Sequence, residues 1–101
     1  QKTQYRFGNG MMVDYTAKTA SFDGQVLDLT KTEFGILEFL SMHPGQVFDK
    51  ERIYEHVCGY DGQGDSRGIT ELVRRIRGKI GQYTKEDPIE TVWGVGYRWK
   101  K

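Results

Sequence analysis

Ser66-Arg67-Gly68-Ile69-Thr70-Glu71-Leu72-Val73-Arg74-Arg75-Ile76-Arg77-Gly78-Lys79-Ile80 is the stretch on which the fold turns. Ile69, Val73, Ile76 and Ile80 follow one another at spacings of four, three and four, the repeat of one helical face. The segment therefore reads as an α-helix over about 66–81 with that stripe turned to a core. Asp65 or Ser66 is its expected N-cap. At the helical repeat the opposite surface holds Arg67, Glu71, Arg74 and Gly78, flanked by Gly68 and Arg75. Arg77 and Lys79 lie on the two borders, where long stems run over apolar surface and deliver charge outward.

The net charge of +1 over 101 residues conceals how unevenly charge is spread. Residues 66–85 carry six basic groups and one acid, whereas residues 21–65 carry three basic groups and nine acids. Positive charge so concentrated is the footprint of an element that binds a polyanion, and a solvated helix face is the alternative. Arginine adds geometry to charge, because its planar fork pairs bidentately with guanine O6 and N7 or with phosphate. Glu71 has two readings: as a base reader it accepts from cytosine N4, and as a helix-surface residue it pairs with Arg67, Arg74 and Arg75 three or four positions away.

After this helix, Ile89-Glu90-Thr91-Val92-Trp93-Gly94-Val95-Gly96-Tyr97-Arg98-Trp99 reads as two strands joined at a Gly-x-Gly turn, with Tyr97 and Trp99 as core residues. Before it, Asp49 caps a short helix that turns Ile53 and Val57 inward, and Cys58–Asp65, with three glycines, reads as a loop. Further back, Thr30 and Glu33 make a capping box, with Leu29 and Phe34 at the staple positions. The helix that follows carries Phe34, Ile36, Leu37, Phe39, Leu40 and Met42, apolar around so much of its girth that it is the expected central helix, and Pro44-Gly45 ends it. Tyr5-Arg6-Phe7, Met11–Tyr15, Thr19–Phe22 and Val26–Leu29 read as antiparallel strands, with turns at Asn9-Gly10 and Asp23-Gly24. The class is α+β. Two helices followed by a hairpin outline a winged helix, in which the last helix enters the major groove and the hairpin touches the neighbouring backbone or minor groove.

Other classes fall away. The chain is one domain in size, its mean hydropathy is −0.67, and its longest aliphatic run is Met11-Met12-Val13, far short of a membrane span. A single cysteine points to the cytoplasm, and a start at Gln1 reads as a piece of something longer. His56 and Cys58 stand two residues apart with His43 as the only other histidine, which is too few ligands for zinc and lacks the third group of a nucleophilic site. The reading there is a buried Cys58 and a surface His56. Gly62-Gln63-Gly64-Asp65-Ser66-Arg67-Gly68 misses dinucleotide-loop spacing and follows a helix. No enzyme, cofactor or metal is expected.

These residues are similar to those of the OmpR/PhoB-type effector domain of two-component response regulators. The resemblance covers essentially the whole chain and rests on Leu29-Thr30-Lys31-Thr32-Glu33-Phe34-Gly35-Ile36-Leu37, on Pro44-Gly45-Gln46-Val47-Phe48, on Arg67-Gly68-Ile69, on Arg75-Ile76-Arg77-Gly78-Lys79-Ile80 and on Thr91–Trp99. It implies a winged helix-turn-helix over residues 1–101, with an N-terminal four-stranded antiparallel sheet, three helices and a C-terminal β-hairpin wing. It also implies sequence-specific binding of double-stranded promoter DNA and control of transcription, with a recognition helix over about 66–81 and a wing over about 89–99. The receiver domain that a sensor kinase phosphorylates is absent from this chain. By position in the family, Arg67 and Arg74 look like phosphate contacts and Gly68, Glu71 and Arg75 like readers of the groove. Arg77 looks like a further backbone contact, and Thr91 matches a wing position that meets phosphate.

The family binds head-to-tail on direct repeats, so the isolated domain is expected to be monomeric and to pair on DNA. Tyr60, Asp61 and Gln63 occupy the loop that in relatives contacts RNA polymerase; a plain connector is the alternative. Three positions depart from the pattern. Thr70 stands where aspartate is common, Leu72 where a histidine reaches phosphate, and Trp93 where a wing arginine is usual. Arg98 or Lys100 would supply the missing wing cation, and Trp93 packs either on a sugar face or against the domain itself. The competing functional class is a winged-helix interaction module whose basic helix binds an acidic protein partner.

Overall fold

The computed structural model describes residues 4–6, 10–58 and 66–100. Four strands come first: β1 (Gln4–Arg6), β2 (Met11–Asp14), β3 (Thr19–Phe22) and β4 (Gln25–Val26), antiparallel in the order β1-β2-β3-β4. Alternation along β2 sends Met11 and Val13 into the core and leaves Met12 and Asp14 on the other face. Asp23 (φ 47°) and Gly24 (φ 87°) both adopt the left-handed conformation, the demand of a two-residue hairpin whose twist matches its strands. The β2–β3 turn had no glycine to announce it. There Asp14 Oδ1 accepts from the amides of Thr16 (3.0 Å) and Ala17 (2.9 Å), and Lys18 takes φ 60°. The fourth strand is shorter than expected: it ends at Val26, and Leu27, still bonded to the Ala20 carbonyl, drops into the core.

The first helix, α1 (Lys31–Ser41), opens on the expected capping box. Thr30 Oγ1 accepts from the Glu33 amide (3.2 Å), and Glu33 Oε1 accepts from the Thr30 amide (3.0 Å). Phe34, Ile36, Leu37, Phe39 and Leu40 are buried. Met42, expected on the buried helix, stands at its C-cap and is exposed. The second helix, α2 (Lys50–Cys58), is capped by Asp49, whose Oδ1 accepts from the Arg52 amide at 2.7 Å. Ile53 is buried, with Val57 and Tyr54 half-buried against the same core. His56 lies at the surface, stacked on Phe39 with ring centroids 4.0 Å apart. Cys58 is half-buried rather than buried, because α2 is packed on one side only.

The third helix, α3 (Arg67–Ile80), places Ile69, Val73, Ile76 and Ile80 in the core as their spacing requires. Of its two expected caps, Asp65 lies outside the described residues and Ser66 makes no cap. Its backbone is helical, no side-chain cap bond forms, and Oγ instead donates to Glu51 Oε1 on α2 at 3.2 Å. Lys79, expected to deliver its charge outward, instead turns its ammonium inward to Glu33 Oε1 at 2.6 Å. Burial would push the Glu33 carboxyl up, but the bonds from Lys79 and Thr30 outweigh it and hold the group below the usual carboxylate range.

The hairpin of β5 (Ile89–Val92) and β6 (Gly96–Trp99) is rooted in the core by Ile89, Tyr97 and Trp99. It is also joined from outside the hairpin. Phe48 pairs with Tyr97 through two amide–carbonyl bonds of 2.9 Å, and the Gly45 amide donates to the Trp99 carbonyl at 2.7 Å. The connection between α1 and α2 thus runs along β6 as a third line of the wing sheet. A Cβ at Gly96 would stand 2.0 Å from the Phe48 carbonyl oxygen, so the close approach admits only glycine. No described helix is long and apolar enough to cross a membrane.

Candidate nucleic-acid interface

Because α3 commits one stripe to the core, its outer face is left to Arg67, Gly68, Thr70, Glu71, Arg74 and Arg75. All are exposed except Glu71, which is half-buried. Glu71 is clasped by Arg74, whose Nε donates to Oε1 (3.0 Å) and Nη2 to Oε2 (2.6 Å). Arg75 Nε donates to the same Oε2 at 3.2 Å. The Arg74 bonds hold the Glu71 carboxyl below the usual carboxylate range, and Glu71 in turn raises the Arg74 guanidinium. Leu72, where a phosphate-reaching histidine is usual in the resembling family, packs against the core. A side chain at Gly68 or Gly78 would meet no protein atom, so neither glycine is needed for packing.

Arg77 was expected to reach outward and instead holds the wing. Its Nη2 donates to the Ile89 carbonyl at 2.8 Å, and Nε lies 2.8 Å from Asp87 Oδ2, an ion pair without hydrogen-bond alignment. Its guanidinium also sits 5.6 Å from the centre of the Tyr97 ring. Position 77 is therefore half-buried at the junction of α3, β5 and β6.

Trp93 leads the turn of the wing and is 90% exposed, which overturns the reading that it packs on its own domain. Gly94 follows at φ 80°, and Val95 is also exposed. Arg98 pairs with Glu90 directly across the hairpin, so this expected wing cation has a carboxylate beside it. Lys100 is exposed. Thr91 faces a groove of about 550 Å³ between α3, the wing and the start of α2, where Lys50, Thr70, Arg74, Arg77 and Trp93 share the lining. The expected groups Arg74, Arg77, Thr91 and Trp93 are thus brought together, while Arg67, Gly68, Glu71, Arg75 and Arg98 lie outside that lining. Lys50 was missed by the sequence reading. As the first residue of α2 it carries no pattern that joins it to α3, and only the packing of the two helices brings it there. Tyr60, Asp61 and Gln63 lie outside the described residues.

Residues 24–99 match the family model described as transcriptional regulatory protein, C terminal. The chain is 41% identical over 92 residues to the transcriptional regulatory protein SpaR of Bacillus subtilis, covering 91% of this chain and 41% of that protein. It is similar in structure to the response regulator DrrB of Thermotoga maritima, described as an OmpR/PhoB homolog, with a TM-score of 0.84, 31% identity and coverage of 100% of this chain and 46% of that one. The DNA-binding domain of RstA from Klebsiella pneumoniae, solved in complex with the RstA box, aligns at a TM-score of 0.80 with 25% identity over 98% of both chains. The chain spans about two fifths of the length of the curated relatives it matches.

Proposed function

We propose a promoter-binding function for this chain, which belongs to the family of transcriptional regulatory protein C-terminal domains. It acts as the OmpR/PhoB-type effector domain of a bacterial response regulator, with sequence-specific binding of double-stranded DNA as its activity rather than catalysis. The observation that carries this reading is a shared groove, lined by Thr70 and Arg74 from the outer face of α3 and by the exposed Trp93 and Val95 of the wing tip. A helix face and a hairpin tip on one groove suit a duplex held by its major groove and by the backbone beside it.

On this reading α3 lies in the major groove, with Gly68, Glu71 and Arg75 toward base edges. The open space around Gly68 supports close approach there. Arg67, Arg74, Lys50 and Thr91 meet phosphates, and Trp93 rests on a sugar face, with Arg98 contributing wing charge. Arg77 acts on the backbone contact indirectly, by holding the wing in place. The RstA domain, solved with its RstA box, supports the same use of a similar fold.

The whole protein carries a receiver domain phosphorylated by a sensor kinase and works in the cytoplasm. Two effector domains pair head-to-tail on a direct repeat, and the loop holding Tyr60, Asp61 and Gln63 contacts RNA polymerase. Selection of duplexes from a random library tests the central claim. Enrichment of a tandem motif that outcompetes shuffled DNA at two salt concentrations is the expected result. Recovery of no motif, with affinity vanishing as salt rises, would reduce the face to non-specific electrostatics and favour an acidic protein partner.

A further inference from the structure

We infer that Glu71 is a specificity gate on this surface: its carboxylate engages Arg74 and Arg75 in the free protein, and only a duplex that offers Glu71 an amino group in exchange releases both arginines at no penalty. The inference rests on the DNA-binding reading above and adds the device by which wrong sequences are rejected.

Three contacts make the gate. Both Glu71 oxygens accept from Arg74, at 3.0 and 2.6 Å, and Oε2 accepts also from Arg75 at 3.2 Å. A phosphate or guanine that takes the Nε edge of either guanidinium must displace a carboxylate already in place. On an arbitrary duplex, Glu71 is then left facing a polyanion, with its charge partners withdrawn and water squeezed out. Such an arrangement is costly because an ionised group loses solvation and meets like charge. Where the sequence presents cytosine N4 or adenine N6 opposite position 71, the carboxylate gains a donor as the arginines leave. A G·C pair suits this exchange well, since guanine O6 and N7 accept from the arginine fork while the cytosine amino group donates to Glu71. Discrimination arises mainly from the penalty on mismatched sites rather than from added attraction to the right one. The wing repeats the device in a smaller form, with Glu90 beside Arg98.

The test uses the chain as it stands and the Glu71→Gln variant, which keeps side-chain size and removes charge at a surface position. Fluorescence anisotropy on the best selected duplex and on a shuffled duplex, across a salt series, gives two affinities and two salt slopes for each protein. The expected result is that Glu71→Gln binds shuffled DNA more tightly with a slope steeper by about one counterion. The ratio of selected to shuffled affinity falls about fivefold or more. Reselection with the variant weakens a cytosine preference at one position of the motif and admits adenine there, since the amide both accepts and donates. Equal tightening on both duplexes would overturn the inference, because Glu71 would then merely lower the net charge; an unchanged ratio for any other reason overturns it as well. A wild-type chain that selects no motif overturns the DNA-binding reading itself. One that selects a motif which Glu71→Gln reads equally well overturns the gate alone.

Discussion

Lys79, near the end of α3, places its ammonium 2.6 Å from Oε1 of Glu33, the same oxygen that accepts the Thr30 amide in the capping box of α1. Glu33 is 1% exposed and Lys79 about a third exposed, so the acid has lost its water and the base has kept part of its own. This contact ties the start of the central helix to the end of the helix that carries the candidate interface. Removing Lys79 leaves a buried carboxylate with only backbone and hydroxyl partners. Lys79→Met should lower unfolding free energy by about 1–3 kcal/mol, discounted from the full cost of orphaning a buried ion because Lys79 is partly solvated. Urea denaturation measures it. The pH dependence has a definite sign. The folded-state pKa of Glu33 is depressed, so its contribution is present at neutral pH and fades as pH falls below about 4.5 toward the lower folded value. Lys79→Met should flatten this acid limb, and an unchanged limb would contradict the assignment.

Arg74 and Arg75 are neighbours with different expected roles. Arg75→Ala should cost about 1–3 kcal/mol of binding and relax base preference at the position it reads, whereas Arg74→Ala should weaken binding to the selected duplex and reduce its salt slope by about one while leaving that preference in place. Competition binding against single-base variants of the selected duplex separates them. Identical profiles would contradict the division.

Arg77 holds the wing through the Ile89 carbonyl, Asp87 and the Tyr97 ring. Arg77→Met should destabilise the domain by about 1–3 kcal/mol, the range for losing a charged hydrogen bond, and should weaken DNA binding without changing its salt slope. A slope reduced by about one would instead mark Arg77 as a direct phosphate contact.

Trp93 and Trp99 are the only tryptophans, one exposed at the wing tip and one buried at its root. Trp93→Ala should leave stability within about 0.5 kcal/mol of the parent, as surface changes do, while binding to the selected duplex falls by about 1 kcal/mol. In the parent, DNA should protect the exposed indole from acrylamide quenching. Unaltered quenching at saturating DNA would remove Trp93 from the interface.

Much of the fold was legible because its signals are local. The stripe of Ile69, Val73, Ile76 and Ile80, the Thr30–Glu33 box and the Asp23-Gly24 turn each depend on residues a few positions apart, and the backbone obeys them directly. The basic face of α3 follows from the same periodicity, since committing one stripe to the core leaves the other to solvent. What tertiary structure alone decided is where the long charged side chains go. Lys79 and Arg77 occupy border positions from which inward and outward directions are equally open to a flexible stem. The choice fell to Glu33, 46 residues away, and to Asp87 and the Ile89 carbonyl on the far side of a turn. The same holds for the line of Phe48 along β6 and for Lys50 on the groove that Arg74 also lines, which join segments that no short-range pattern connects. Periodicity determines which face of an element is buried. The partner of a charge is set by whatever the packed elements bring within a few ångströms, because desolvation makes an unpaired buried charge too costly to leave.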